Sequence, residues 1–390
     1  MKRFKTPVRI ISTVLATSLV WAGAVSCLYM KNPVGKKVGD AYDIIRKNFV
    51  LDYDEDFVKD YTIASMVQAL GDRYSAFYPK GYYEKLDRNI QGHYYGIGVV
   101  VTVESETNEL LITSVQEGAA ADRAGIKAGD ILVKVGSTEV NGDKLDEAVK
   151  LIQVDEKGLG TTVNLTLKRN GEEYKADVVR EKIVSKTVES KIIEGDIGYI
   201  KIHSFDNETY GEFKEHAEKI KDAKYFILDL RDNGGGTLYS MRNIANMLLP
   251  KCTLTTFEYK DGGRTEIKTN GKQKITAPMC VLVNGGSASA SELLTAALHD
   301  NGRAAVIGEQ TYGKAIAQVT IPFEYENGKA VSAMYLTYAK YLTPSGEYIH
   351  GKGITPDVTS SLPENYEEGD EDTQLETAIE YLRKEDTKKI

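Results

Sequence analysis

The stretch Val283-Asn284-Gly285-Gly286-Ser287-Ala288-Ser289-Ala290-Ser291-Glu292-Leu293-Leu294 reads as a buried strand, then a glycine turn, then an apolar-periodic helix with Ser291 as its expected N-cap. A strand passing through small residues into a helix is the repeating unit of an α/β sheet. It also leaves serine hydroxyls at the junction, beside backbone N–H groups that favour developing negative charge. Taken alone, the segment has a competing reading: a small-residue loop packed closely against a neighbour.

A second stretch changes the weight of the first. In Gly308-Glu309-Gln310-Thr311-Tyr312-Gly313-Lys314-Ala315-Ile316-Ala317-Gln318, a glycine precedes a lysine that opens an alternating strand. Side chains alternate with period two, so residues 314, 316 and 318 are expected on one face, with Lys314 and Gln318 pointing into one site. A lysine acts as a base only when neutral. Its ordinary pKa of about 10.4 must then fall by two or more pH units, which costs roughly 3 kcal/mol. Burial under apolar walls supplies that change, and Gln318 can orient the amine without adding charge.

Around these stretches, residues 197–360 read as strands alternating with helices. The runs Tyr199–His203, Tyr225–Leu230, Met279–Val283 and Ala304–Ile307 are apolar enough for central strands. Residues 92–180 alternate in strand fashion, with turns at Asn141-Gly142 and Asn170-Gly171. Asp40–Gly71 has helical periodicity through Tyr42, Ile45, Phe49, Phe57, Tyr61, Ala64, Met66 and Leu70, and Gly71-Asp72-Arg73-Tyr74 stops it. The tail from Glu364 is acidic, with a helix predicted at Thr373–Leu382.

Gly96-Ile97-Gly98-Val99 places two glycines before an apolar strand. Such a turn presents consecutive N–H groups able to hold a terminal carboxylate, while the strand edge pairs with an incoming peptide. A third glycine at dinucleotide-binding spacing is absent. With the downstream Ala124-Gly125-Ile126-Lys127-Ala128-Gly129-Asp130-Ile131-Leu132, this region resembles a PDZ domain.

The N-terminus carries an address. Lys2, Arg3, Lys5 and Arg9 precede Ile10–Met30, 21 residues without a charge, long enough for a membrane-spanning helix. The positive flank is expected to stay in the cytoplasm, which puts the catalytic portion outside a single-pass anchor at the cell membrane. Two competing readings are a signal peptide cleaved after Ala22-Gly23-Ala24 and lipidation at Cys27; all three export the chain. Beyond residue 31 there remain 44 basic against 57 acidic residues, a net of −13. That balance argues against a nucleic-acid partner, which needs clustered Lys and Arg. Three cysteines make neither a disulfide framework nor a zinc pattern, and no metal or cofactor is expected.

The chain has no Gly-x-Ser-x-Gly elbow, no Ser-x-x-Lys and no His-Glu-x-x-His. Of the five histidines, His299 reads as the end of the helix that starts near Ser291. The two opening stretches together resemble the C-terminal processing peptidases, serine proteases with a PDZ domain inserted before the catalytic core. Their signature pairs Ser-Ala-Ser-Ala-Ser-Glu with a lysine 25 residues beyond the middle serine and a glutamine four residues further. Ser289, Lys314 and Gln318 fit that spacing. Asp229-Leu230-Arg231-Asp232-Asn233-Gly234-Gly235-Gly236, Tyr341-Leu342-Thr343-Pro344-Ser345-Gly346 and Gly353-Ile354-Thr355-Pro356-Asp357 match further elements. Two departures stand out: Gly234 replaces a proline, and Ala315 replaces the glycine after the lysine.

The resemblance implies a multidomain α/β fold: a crotonase/ClpP-like protease core with an inserted α+β PDZ domain and a small helical N-terminal region. The expected segments are a stub at 1–9, the anchor at 10–30, a helical region at 31–85, the PDZ domain at 86–178, the core at 179–362, and a tail with its helix at 363–390. It also implies Ser289 as nucleophile, Lys314 as base and Gln318 as its partner, with oxyanion donors on Gly235 and Ala290. Gly96, Ile97, Gly98 and Val99 would hold the peptide. Expected partners are proteins with apolar C-terminal tails, the membrane and a second copy of the chain. Competing functions are a non-catalytic PDZ scaffold on a degenerate protease fold and a hydrolase of non-peptide acyl groups.

Overall fold

A computed structural model describes residues 32–363, 365, 366 and 370–387. The expected anchor at 10–30 lies outside the described residues. Among the described residues, no helix is long and apolar enough to cross a membrane. The chain divides into two units, residues 1–62 and 63–390.

In the first unit, Asn32 caps the helix Pro33–Asn48 by accepting a hydrogen bond from the Gly35 N–H at 3.0 Å. The helical periodicity expected over Asp40–Gly71 resolves into two helices. Asp54 accepts from the N–H groups of Asp56 and Phe57 and so starts a new helix, Glu55–Gln68.

The centre of the second unit is a six-stranded sheet in the order Val188–Ile193, Ile197–Ile202, Tyr225–Asp229, Met279–Val283, Ala304–Gly308, Val358–Thr359. Its first pair is antiparallel and the rest are parallel. Period-two alternation divides the apolar side chains between two layers. Ile200, Ile202, Leu228, Val281 and Val306 pack with Phe213, Met241, Leu248 and Leu294 from the helices Thr209–Lys219, Leu238–Leu248 and Ala290–Asp300. Ile197, Tyr199, Ile227, Cys280, Leu282 and Ile307 face the other way, where Ala378 and Leu382 of the helix Thr373–Thr387 cover them. A sheet covered on both faces explains why these strands read as continuous apolar runs.

A second, antiparallel sheet joins Ala76–Tyr78, Lys329–Leu342, Thr253–Tyr259 and Arg264–Lys268, and Ile316–Glu326 also pairs with Lys329–Leu342. The strand Ala76–Tyr78 departs from the all-helical reading of 31–85; too short to show a period, it is set by pairing with Ala333–Tyr335. A third sheet, Val99–Val103, Leu110–Val115, Ile131–Val135, Thr162–Arg169 and Glu172–Val179, closes over its own core of Ile97, Leu110, Ile112, Leu132, Leu165 and Val178. Val99–Val103 is an edge of this sheet. The helix Leu145–Ile152 packs into the same core; its signal is the spacing of Leu145, Ala148, Val149 and Ile152.

One buried ion network ties the C-terminal helix to the central sheet. Arg231 donates through Nη2 and Nε to Asp229, and through both terminal nitrogens to Asp372 at 2.8 and 2.7 Å. Tyr199 and Gln374 complete its surroundings. Burial alone would raise the Asp372 carboxyl, but Arg231 and backbone N–H groups outweigh it and hold the group below its ordinary value. Removing the guanidinium leaves Asp229 buried and unpaired, a loss of about 3–5 kcal/mol for a broken buried pair. Arg231→Leu is therefore expected to lower the urea midpoint far more than Asp372→Asn. Because the folded Asp372 pKa is depressed, its share of stability is present above about pH 4 and fades as pH falls. Equal midpoints for the two variants would refute this reading.

Candidate active site

The loops following three parallel strands, residues 230–236, 284–289 and 309–315, leave the same end of the central sheet. Carboxyl ends of parallel strands are where open α/β sheets form their sites. The three loops are joined by specific hydrogen bonds.

Ser287 and Ser291 are fully buried, and both hydroxyls donate to carbonyls of the first loop: Ser287 to Leu230 O at 2.7 Å, Ser291 to Asn233 O at 2.8 Å. The Ala288 N–H also donates to Asn233 O. Asn284 and Asp232 exchange two further bonds at 2.9 Å. Ser289 is only half-buried. It adopts φ 58°, ψ −113°, a region sparsely populated outside glycine and often found at functional sites. The helix begins two residues earlier than expected: Ser289, not Ser291, is the N-cap of Ala290–Asp300.

Glu292 is the residue that the motif reading left without a role. Fully buried, its carboxylate accepts four hydrogen bonds: Ser289 N–H at 2.9 Å, Lys314 N–H at 2.8 Å, Gly313 N–H at 2.7 Å and Thr311 Oγ1 at 2.6 Å. The signal was present as Ser-x-x-Glu, a capping box across 289–292, and was hidden by placing the cap at Ser291. On the opposite side, the buried Tyr341 hydroxyl hydrogen-bonds to the Lys314 carbonyl and lies 3.3 Å from the Ser289 carbonyl. Burial pushes its phenol well above the ordinary value, so it remains a donor. Ser289 and Lys314 are thus fixed at their N–H groups by one side chain and at their carbonyls by another.

Ser289, Lys314 and Gln318 line one cavity of about 550 Å³, with Gly235, Ala290 and Tyr341. Lys314 precedes the strand Ile316–Glu326 instead of lying in it. A register shift between Ala317 and Gln318 breaks the simple alternation. The shared cavity arises from loop and bulge together. The Lys314 amine stands 4.8 Å from the Tyr74 ring centroid. Burial pushes this amine below the ordinary lysine value, although the charges of Asp72 and Glu292 act in the opposite direction. Gln318 Nε2 donates to Thr337 Oγ1 at 3.0 Å.

Gly235 has φ 98°, and a Cβ there would stand 2.8 Å from Ser289 Cβ and 2.9 Å from Ala290 N. Only glycine lets this loop approach Ser289 so closely. Its N–H, however, donates to Asn233 Oδ1 at 2.9 Å, whereas no backbone hydrogen bond engages the Gly236 N–H among the described residues. The two family departures are accommodated. A Cβ at Gly234 would meet nothing, and Ala315 has no positive φ.

In the third sheet, Gly98 has φ 83°, and a Cβ there would fall 2.5 Å from Ala119 Cβ. The carbonyls of Ile97 and Gly98 are bonded to Ala121 and Gln116 N–H. Gly96 lies in the strand His93–Gly96, paired with Glu181. A shallow groove between the edge strand and the helix Leu145–Ile152 is lined by Ile97, Gly98, Val99, Val101, Val149 and Ile152.

Residues 196–360 match the model of peptidase family S41, and residues 96–179 that of the PDZ domain. The carboxy-terminal processing protease CtpA of Bacillus subtilis (strain 168) is 36% identical over 362 residues, covering 89% of this chain and 76% of that protein. The Probable CtpA-like serine protease of Staphylococcus aureus (strain COL) is 34% identical over 404 residues, covering 97% and 79%. Among solved structures, a photosystem II D1 C-terminal processing protease matches at 26% identity and a TM-score of 0.48, covering 88% of this chain and 90% of that one.

Replacing Glu292 by glutamine turns one acceptor oxygen into an amide that faces donors. With hydrogen bonds to charged groups worth about 1.5–3 kcal/mol each, Glu292→Gln is expected to lower kcat by at least about 100-fold. Chemical denaturation should show a loss of a few kcal/mol at most. Activity within about twofold of the parent would contradict the clamp.

Proposed function

From the premise that the chain belongs to the C-terminal processing peptidases of family S41, serine-type peptidases carrying a PDZ domain, we propose that Ser289 is the nucleophile and Lys314 its general base. The observation that carries this reading is the half-buried Ser289 sharing a cavity with a lysine amine whose pKa burial depresses. Ser287 and Ser291 are spent on backbone carbonyls.

Ser289 Oγ attacks the scissile carbonyl carbon while its proton passes to neutral Lys314. The oxyanion receives the Ala290 N–H and a glycine N–H. Gly235 can serve if it exchanges its bond to Asn233 for the oxyanion; otherwise Gly236 is the donor. Collapse expels the amine, which takes the proton from Lys314 and leaves an acyl-enzyme. Water, deprotonated by Lys314, then releases the new C-terminus and regenerates the hydroxyl.

The substrate is a protein tail. In this reading Ile97 and Gly98 receive the terminal carboxylate, and Val99–Val103, as a sheet edge, pairs with the extended peptide over the apolar groove. Export through the N-terminal segment, membrane anchorage and association of two copies belong to the same proposal.

Cleavage of an unfolded protein by the purified exterior portion, followed by mass spectrometry, tests it. Ser289→Ala is expected to abolish peptide release, and Ser287→Ala and Ser291→Ala to retain measurable activity. Release by Ser289→Ala would sink the assignment. Lys314→Arg should be as inactive as Lys314→Ala, because arginine is not deprotonated in a protein. Activity should rise with pH as Lys314 loses its proton, with a midpoint below the ordinary lysine value. Full activity of Lys314→Arg would exclude the base. Retained peptide binding with no turnover in the parent protein would favour the scaffold reading.

A further inference from the structure

The segment Gly71-Asp72-Arg73-Tyr74, which is expected to stop the helical periodicity, continues into Ser75. It reaches the strand Lys329–Leu342 behind the cavity. Asp72 Oδ2 accepts two hydroxyl protons, from Ser75 Oγ and from Thr337 Oγ1, each at 2.6 Å, and Oδ1 accepts the Tyr74 N–H at 3.0 Å. Ser75 Oγ in turn accepts the Thr337 N–H at 3.0 Å. Burial would raise the Asp72 carboxyl, but these bonds outweigh it and hold the group below its ordinary value, as an acceptor only.

A hydroxyl has one proton. Thr337 gives its proton to Asp72, so towards Gln318 it offers only lone pairs. Gln318 must therefore present its NH2 group, as the 3.0 Å contact from Nε2 to Thr337 Oγ1 shows. The carbonyl Oε1 is left as the end available to Lys314. Were Thr337 free to donate, the amide could turn over and aim two hydrogens at an amine that must keep its lone pair for the serine proton.

We propose that Asp72 and Thr337 are positioning residues: a one-way hydrogen-bond chain, Gln318 to Thr337 to Asp72, that fixes the orientation of the Gln318 amide beside Lys314. This rests on the reading of Gln318 as the partner of the lysine. Asp72 never touches the substrate in this scheme. It selects which atom of Gln318 faces the amine.

A double-mutant cycle on the full chain, read as kcat with a tail peptide and a thermal midpoint for each variant, tests it. Thr337→Val keeps the shape but cannot donate or accept; kcat is expected to fall about tenfold. Thr337→Ser, which preserves the chain, should restore most of that loss. Asp72→Asn, whose amide can donate to Thr337 and reverse the chain, should also lower kcat, and it serves if Thr337→Val does not fold. In a Gln318→Ala background, Thr337→Val, and Asp72→Asn read at a pH high enough that Lys314 is neutral in both proteins so that loss of the Asp72 charge no longer matters, should each change kcat less than about twofold. Full losses in that background, or a Thr337→Ser as slow as Thr337→Val, would overturn the proposal and assign a structural role instead. If Gln318→Ala alone keeps full kcat, the reading of Gln318 itself fails, a result distinct from additivity.

Discussion

A single buried carboxylate holds the site together. Glu292 accepts hydrogen bonds from the backbone of Ser289 and of Lys314, residues 25 positions apart on separate loops. A carboxylate removed from water must be fully hydrogen-bonded to be tolerated. Three of the four groups that satisfy it are N–H groups of the segments bearing Ser289 and Lys314, so the need to solvate Glu292 and the need to bring these two segments together are met by one arrangement. Tyr341 does the same from the carbonyl side.

The charge has a second effect. Glu292 and Asp72 both favour protonated Lys314, as does the face of the Tyr74 ring, whereas a base needs the amine neutral. Burial prevails, and the amine stays below its ordinary value. The same site therefore holds its lysine backbone with negative charge while desolvation disfavours the charged form of the lysine side chain.

Much of this was legible in the residues. The central strands were readable because a sheet covered on both faces needs continuous apolar runs, and Met279–Val283 appears with the expected bounds. The family was readable because motif spacing survives where packing detail does not. What escaped was decided by tertiary pairing. Ala76–Tyr78 is too short to show a period. Lys314 reaches the cavity from a loop, and Gln318 lies past a register shift that alternation does not foresee. Glu292 stands inside the serine motif with no role assigned to it, because the expected cap is Ser291. The Gly235 N–H, carried over by resemblance as an oxyanion donor, is bonded to Asn233 here, a detail that glycine runs do not encode.

Serine-directed fluorophosphonate labelling, followed by peptide mapping across a pH series, tests most directly whether an uncharged amine activates this hydroxyl. The label is expected on Ser289 alone, at a rate that rises as Lys314 loses its proton and becomes negligible when that side chain is truncated to alanine. Labelling of Ser287 or Ser291 in preference, or an undiminished rate without the amine, would contradict it.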